Sequence, residues 1–163
     1  MVTEFKKIIP LLVEQGIEFI LIGGVAAIAH GAARATYDVD IVYARSDANI
    51  SRVAASLMPF APYLRGAPPG LPFRWDAETV RNGLNFTLTT SIGDLDLLGE
   101  VAGGGTYDQL LPHTEVVGMF GVDLRVVTLE KLLQLKRAAG RPKDLEAIAE
   151  LQALLEERRR RGD

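Results

Sequence analysis

The segment from Ile22 to Val42, IGGVAAIAHGAARATYDVDIV, restricts the fold more than any other part of the sequence. It follows an apolar, partly β-branched stretch, Ile17–Leu21, which predicts a buried strand that ends at a pair of glycines. The alanine-rich residues Val25–Ala29 then predict a short helix, and Tyr37–Tyr43 predicts a second strand. A strand, a glycine turn, a helix and another strand in so short a space indicate an α/β chain.

The second predicted strand alternates acidic and apolar side chains. Side chains two residues apart on a strand point to the same face of a sheet, so Asp38 and Asp40 present two carboxylates to one patch while Val39 and Ile41 enter the core. Two like charges held so close require a cation. Magnesium suits such a group, because it takes one or two carboxylates and completes its octahedron with water and substrate phosphates.

Other segments show helix and strand patterns around this unit. Apolar periodicity predicts an N-terminal helix in residues 3–16, and a cap at Ser46 or Asp47 predicts another helix that reaches Leu57. Period-two alternation predicts the remaining strands: residues 84–89 paired with 94–98 as a hairpin, and a second pair within residues 115–127. Together these patterns predict an α/β (α+β) chain in which helices and strands both recur.

Two regions differ from this pattern. Five prolines and two glycines in residues 58–72 favour an irregular loop that shapes a substrate entrance. Residues 128–161 predict a C-terminal pair of helices, in which Thr128 caps the first, Gly140 ends it and Pro142 opens the second. The apolar positions expected to be buried in that second helix are Leu145, Ile148, Leu151 or Gln152, and Leu155.

Composition excludes several classes of protein. The 163 residues favour a single domain, 1–163, and the mixture of 48% hydrophobic and 24% charged residues is that of a globular protein. The absence of cysteine excludes disulfides, zinc–thiolate sites and a thiol nucleophile. A net charge of −3 argues against stable binding of long nucleic acids. No apolar run suggests a membrane span or a secretion signal, so we expect no membrane partner and a cytoplasmic location.

Three motifs at these positions resemble the nucleotidyltransferase superfamily, which shares the fold of DNA polymerase beta. The motifs are Ile22-Gly23-Gly24, then Asp38-Val39-Asp40-Ile41, and a third carboxylate on a later strand, Asp96 in the segment GDLDLLG. Asp94 lies on the same face of that strand and is the alternative third acid. The Arg141-Pro142-Lys143-Asp144 stretch after a lysine-bearing helix is similar to compact bacterial members related to AbiEii-type toxins.

The resemblance implies a nucleotidyltransferase fold, with a mixed central β-sheet flanked by helices. It also implies a site in which Asp38, Asp40 and Asp96 are catalytic and bind two magnesium ions. An NTP such as ATP would be the substrate. One ion would activate the attacking hydroxyl and the other would stabilise the departing pyrophosphate. Gly23 and Gly24 would let the backbone approach the triphosphate. Without such a site, the first two acids would be solvent-facing positions of an edge strand.

Three further residues are candidates for binding the nucleotide. Arg34 would add positive charge to the phosphates or would pair with Asp38 or another acid. Lys136 would bind a phosphate or would be an ordinary solvated helix lysine. Asp144 belongs to the implied site, but a carboxylate in the first turn of a helix also stabilises the helix dipole without any catalytic purpose.

These motifs predict transfer of a nucleoside monophosphate from an NTP to a hydroxyl group. The likeness to toxins implies that the acceptor is a tRNA 3′ end or a protein side chain, and that a cognate antitoxin is a partner in a toxin–antitoxin pair. The alternative is a non-catalytic nucleotide-binding or regulatory module of the same fold, because fold alone does not decide function.

Overall fold

The fold is built on strands in mixed orientation. A computed structural model describes residues 2–162, one residue fewer at each end than the predicted domain. Nine strands occur in this part of the chain: β1 (Phe19–Ile22), β2 (Asp38–Tyr43), β3 (Tyr63–Leu64), β4 (Asn85–Thr90), β5 (Gly93–Leu98), β6 (Glu100–Val101), β7 (Gly105–Thr106), β8 (Thr114–Met119) and β9 (Val122–Val127). Seven form one sheet in the order β3-β4-β5-β2-β1-β9-β8, and β6 pairs with β7 separately.

Helices pack around this sheet. Those of the described residues are α1 (Phe5–Glu14), α2 (Gly23–Ala29), α3 (Asp47–Leu57), α4 (Ala77–Asn82), α5 (Tyr107–Leu110), α6 (Leu129–Ala139) and α7 (Leu145–Arg161). The predicted cap at Ser46 is confirmed, because its side-chain oxygen accepts a hydrogen bond from the backbone amide of Asn49. Thr128 caps α6 in the same way, and Gly140 ends that helix with a φ of 63°. The C-terminal pair α6 and α7 pack on each other, and α2 also contacts α6.

The central strands place acidic residues next to each other. Strand β2 pairs in parallel with β5, and the register sets Asp38 beside Asp94 and Asp40 beside Asp96. On the other side, β2 pairs antiparallel with β1, so it is an interior strand of the sheet. Val39 and Ile41 are fully buried, as the alternation predicted. The core beneath them holds large aliphatic side chains from β1 and β5, including Ile20, Leu21, Leu95 and Leu97.

The segment 58–72 differs from the predicted irregular loop. It begins with a single 3₁₀ turn, Met58–Phe60, and then forms β3, which pairs antiparallel with β4 at the edge of the sheet. Aromatic rings of Tyr63, Phe73, Trp75 and Phe86 contact one another in sequence, with centroids 6.0 to 6.5 Å apart. Cross-strand pairing and ring packing are long-range effects, and they order a segment whose local sequence favours none of the regular structures.

The start of the last helix is also different from the prediction. Pro142 opens a 3₁₀ turn, Pro142–Asp144, and α7 begins only at Leu145. That side chain is 66% exposed although the periodicity placed it in the core, while Leu151 is buried as expected. Leu145 is the first residue of α7, and apolar periodicity indicates the face on which a residue lies but not whether the end of the helix reaches the core. None of the helices in residues 2–162 has the length and apolarity that crossing a membrane requires.

Candidate active site

Three carboxylates converge on one face of the sheet. Each of Asp38, Asp40 and Asp96 offers one oxygen, and these oxygens all lie within 4.8 Å of one another. Their convergence follows from the parallel pairing of β2 with β5, in which side chains of registered residues lie side by side. Because β2 is an interior strand, the alternative of an exposed edge strand does not apply to the first two acids.

Two oxygen atoms of this acidic triad lack hydrogen-bond partners. Asp40 Oδ1 and Asp96 Oδ1 are buried and accept no hydrogen bond from the described residues. Asp96 Oδ1 lies 3.1 Å from Arg65 Nη2, which is close enough for an ion pair, but the two atoms do not have the geometry of a hydrogen bond. Buried carboxylate oxygens without donors are costly, whereas oxygens in this arrangement are the ligands that Mg²⁺ prefers. The triad therefore fits a divalent cation.

The proximity of the acids changes their protonation. Burial, followed by a hydrogen bond with Asp96 and the charges of Asp38 and Asp96, raises the pKa of Asp40 from 3.8 to about 8, against the opposing charge of Lys136. Burial and the charge of Asp96 also raise the pKa of Asp38, while Arg65 lowers it. A cation bound among the acids would favour the ionised forms and would displace the proton from Asp40.

Arg65 is the main feature of this site that the sequence did not predict. Its guanidinium nitrogens lie 3.7 Å from Asp38 Oδ2, 3.5 Å from Asp94 Oδ2 and 3.1 Å from Asp96 Oδ1. It follows β3 directly, a strand of only two residues inside a segment rich in proline. No local pattern marks so short a strand, so the sequence held no usable signal for this contact.

Of the two glycines, Gly23 lies against the triad and Gly24 lies against Thr36. Gly23 has a φ of +71°, and a Cβ atom at this position would overlap the carboxylate of Asp40. A Cβ atom at Gly24 would overlap Thr36 Oγ1. Glycine is thus required at the first position by both its backbone conformation and its close approach to an acid. Binding of a triphosphate by this turn stays a prediction.

A cleft of about 390 Å³ opens beside the triad and the glycine turn. Lys136 lines it from α6, with Nζ 3.5 Å from Asp144 Oδ1, and Arg141 Nε lies 2.7 Å from Asp144 Oδ2. Burial opposes ionisation of Asp144, but the hydrogen bond from Arg141 and the charges of Lys136 and Arg141 lower its pKa overall. Asp144 therefore forms ion pairs with two cationic side chains at the cleft wall. This role is more specific than the alternative, in which the carboxylate only stabilises the helix dipole.

Arg34 also lines the cleft but is paired elsewhere. Its Nη2 lies 2.7 Å from Glu146 Oε2, and its Nε lies 3.6 Å from Glu150 Oε1. The alternative that Arg34 pairs with an acid is confirmed, and its partners are these two acids of α7 rather than Asp38. These contacts tie the segment before β2 to the C-terminal helix at the mouth of the cleft.

Comparison with known proteins supports the fold. No protein-family model matches the sequence, and no curated protein matches it. One similar solved structure is that of a Thermotoga maritima protein assigned provisionally as a nucleotidyltransferase. The similarity has a TM-score of 0.57 and 16% sequence identity, and it covers 94% of this chain and 91% of the other. The architecture is therefore a nucleotidyltransferase fold, as the motifs predicted.

Proposed function

We propose that this protein is a magnesium-dependent nucleotidyltransferase that moves a nucleoside monophosphate from an NTP to a hydroxyl acceptor. The observation that supports this most strongly is the convergence of Asp38, Asp40 and Asp96 beside Gly23 in an open cleft. A purely structural role gains nothing from buried acids whose oxygens have no partners. The fold shared with the Thermotoga maritima protein agrees with this proposal.

In this proposal the acids and the basic residues bind opposite parts of the substrate. Asp38, Asp40 and Asp96 would hold one or two magnesium ions, which supply charge neutralisation at the reacting phosphate. Lys136, positioned by Asp144, would meet the departing phosphates from the cleft wall. The NTP therefore spans the cleft between the sheet and α6, with its α-phosphate at the triad.

The chemical step requires orientation more than covalent participation by the protein. The acceptor hydroxyl attacks the α-phosphorus, the bond to the bridging oxygen breaks, and pyrophosphate leaves with the bonding electrons. The hydroxyl proton passes to a triad carboxylate or to water. Holding the attacking oxygen in line with the leaving group is the main task of the site.

For the acceptor, we propose a tRNA 3′ end or a hydroxyl side chain of a protein, with a cognate antitoxin as the partner that controls the activity. This follows from the sequence likeness to AbiEii-type toxins. A hydroxyl acceptor requires room beside the triad, which the open cleft provides. An antitoxin would act by covering the cleft.

Label transfer tests the activity. The protein would be incubated with each α-labelled NTP, Mg²⁺, and a pool of tRNA and cellular proteins, then separated on denaturing gels. We expect label on one class of acceptor, lost in Asp38→Asn, Asp40→Asn and Asp96→Asn. Asp123→Asn is the matched control, since it changes an exposed acid on β9 away from the cleft.

Comparing Asp94→Asn with Asp96→Asn tests which acid of β5 belongs to the triad. We expect the Asp96 substitution to abolish transfer and the Asp94 substitution to reduce it only partly. Nucleotide binding without transfer, unchanged in all triad variants, would favour the regulatory module instead. Equal transfer by the unmodified protein and its triad variants would refute the proposed catalyst.

A further inference from the structure

The guanidinium of Arg65 is placed between acids of two strands. Its three nitrogens each face a different carboxylate: Nη1 faces Asp38, Nε faces Asp94 and Nη2 faces Asp96, at 3.1 to 3.7 Å. Within the described residues, Arg65 makes no ion pair with Asp40. Asp38, Asp94 and Asp96 therefore have a cationic partner from the protein in direct ion-pair contact, whereas Asp40 is influenced by the charge of Lys136 without an ion pair among the described residues.

The backbone fixes this guanidinium. The amide of Arg65 donates to Thr87 O at 3.0 Å, continuing the pairing of β3 with β4. The side chain then crosses β4, where Nε and Nη2 both donate to Leu88 O, at 3.2 and 2.7 Å. Two hydrogen bonds to one carbonyl oxygen leave the guanidinium group little freedom to turn away from the acids. The preceding β3 is anchored by the aromatic contacts of Tyr63.

A fixed cation beside metal ligands opposes a second cation. Arg65 and a divalent ion both draw on the negative charge of Asp38 and Asp96, and like charges in a partly buried site repel strongly. The side chain of Arg65 is only 27% exposed, so solvent screens this repulsion incompletely. Magnesium bound with a nucleotide would bring the compensating negative charge of the phosphates.

We propose that Arg65 is a positioning residue that acts as the built-in counter-ion of Asp38 and Asp96, weakens divalent-ion binding to the empty site, and thereby couples metal binding to nucleotide binding. This inference rests on the proposed function in taking the triad as a metal site. It goes further in assigning the order of events: the ion is held firmly only together with the triphosphate.

Direct Mn²⁺ binding tests this inference without any catalytic readout. Free Mn²⁺ would be measured by electron paramagnetic resonance during titration of the metal-depleted protein, with and without an α,β-methylene NTP analogue. For Arg65→Gln we expect about tenfold tighter Mn²⁺ binding without nucleotide, and a smaller further gain on adding the analogue. Arg74→Gln is the matched control, since it removes an exposed arginine that follows the segment 58–72 and should change neither value.

The outcomes separate the two proposals. Unchanged or weaker Mn²⁺ binding by Arg65→Gln would overturn the counter-ion role, while binding by the unmodified protein would still support the metal site. A lack of Mn²⁺ binding by the unmodified protein, even with the analogue, would refute the proposed function. Should Arg65→Gln fail to fold, Arg65→Met decides, because it keeps the aliphatic part of the side chain and removes the charge. Tighter binding than in the unmodified protein supports the inference, and equal or weaker binding refutes it.

Discussion

Replacing Asp40 with asparagine should make the metal-free protein more stable, although it removes a residue on which the proposed activity depends. Burial and two neighbouring acids raise the pKa of this carboxyl to about 8. Folding at neutral pH therefore forces it either to take up a proton or to stay charged among like charges. Asparagine has nearly the same shape and no charge, so the variant avoids both costs.

The difference between the ordinary pKa of 3.8 and the folded-state pKa of about 8 sets the size of the expected gain in stability. A tenfold change in a protonation equilibrium corresponds to about 1.4 kcal/mol, and at pH 7 an unfolded carboxyl is ionised roughly a thousandfold over its protonated form. Protonation during folding therefore costs at most ~4 kcal/mol. Relaxation of the neighbours and water at the cleft reduce this cost, and the new amide needs partners of its own. We expect the free energy of unfolding to rise by ~1–3 kcal/mol.

The effect has a defined pH dependence. Between the ordinary value of 3.8 and about 8, the folded protein binds more protons than the unfolded chain at this group. The contribution of Asp40 to stability is therefore fully present below about pH 4 and declines as the pH rises towards 8. The variant lacks this decline, so its advantage should be small in acid and largest near pH 8.

Urea unfolding followed by circular dichroism, in EDTA and from about pH 5 to about pH 8, measures this difference. Asp123→Asn controls for the loss of one negative charge at an exposed position. A variant that is less stable than the parent at pH 8, or an advantage that does not change with pH, would show that the cluster is not electrostatically strained. Mg²⁺ added together with a non-hydrolysable NTP analogue should raise the stability of the parent protein only.

Two further substitutions test the walls of the cleft. Gly23→Ala should lower the free energy of unfolding by ~2–4 kcal/mol, because the new Cβ overlaps Asp40 and the φ of +71° is unfavourable for alanine. Urea unfolding measures this loss, and a loss under ~1 kcal/mol would contradict the geometry. Lys136→Met should raise the KM for the NTP about tenfold or more, while Asp144 keeps its ion pair with Arg141. Steady-state kinetics measures this change, and an unchanged KM would show that the lysine does not bind the nucleotide.

The sequence predicted those parts of the structure that depend on local patterns. Alternation in residues 38–41 predicted which side chains enter the core, and the caps at Ser46 and Thr128 predicted where two helices begin. The glycine pair and the acidic strand together also pointed to the correct fold. Each of these signals lies within a few neighbouring residues, where sterics and hydrogen bonding act directly.

Features that depend on pairing between distant segments could not be predicted in the same way. The choice between Asp94 and Asp96 depends on the register of β5 against β2, which the sequence of either strand alone does not fix. The contact of Arg65 with the triad depends on a two-residue strand at the sheet edge. The exposure of Leu145 depends on where the first residue of α7 lies relative to the core, which periodicity alone does not give.

The chain of aromatic rings from Tyr63 to Phe86 has a consequence for molecular recognition. Because these contacts order the segment that bears Arg65 within the folded protein, the conformational entropy of that segment is lost on folding rather than on ligand binding. The side of the acidic cluster that Arg65 forms is thus already ordered before a ligand binds. Truncating Phe73, whose ring contacts both Tyr63 and Trp75, would transfer that entropic cost to the binding step.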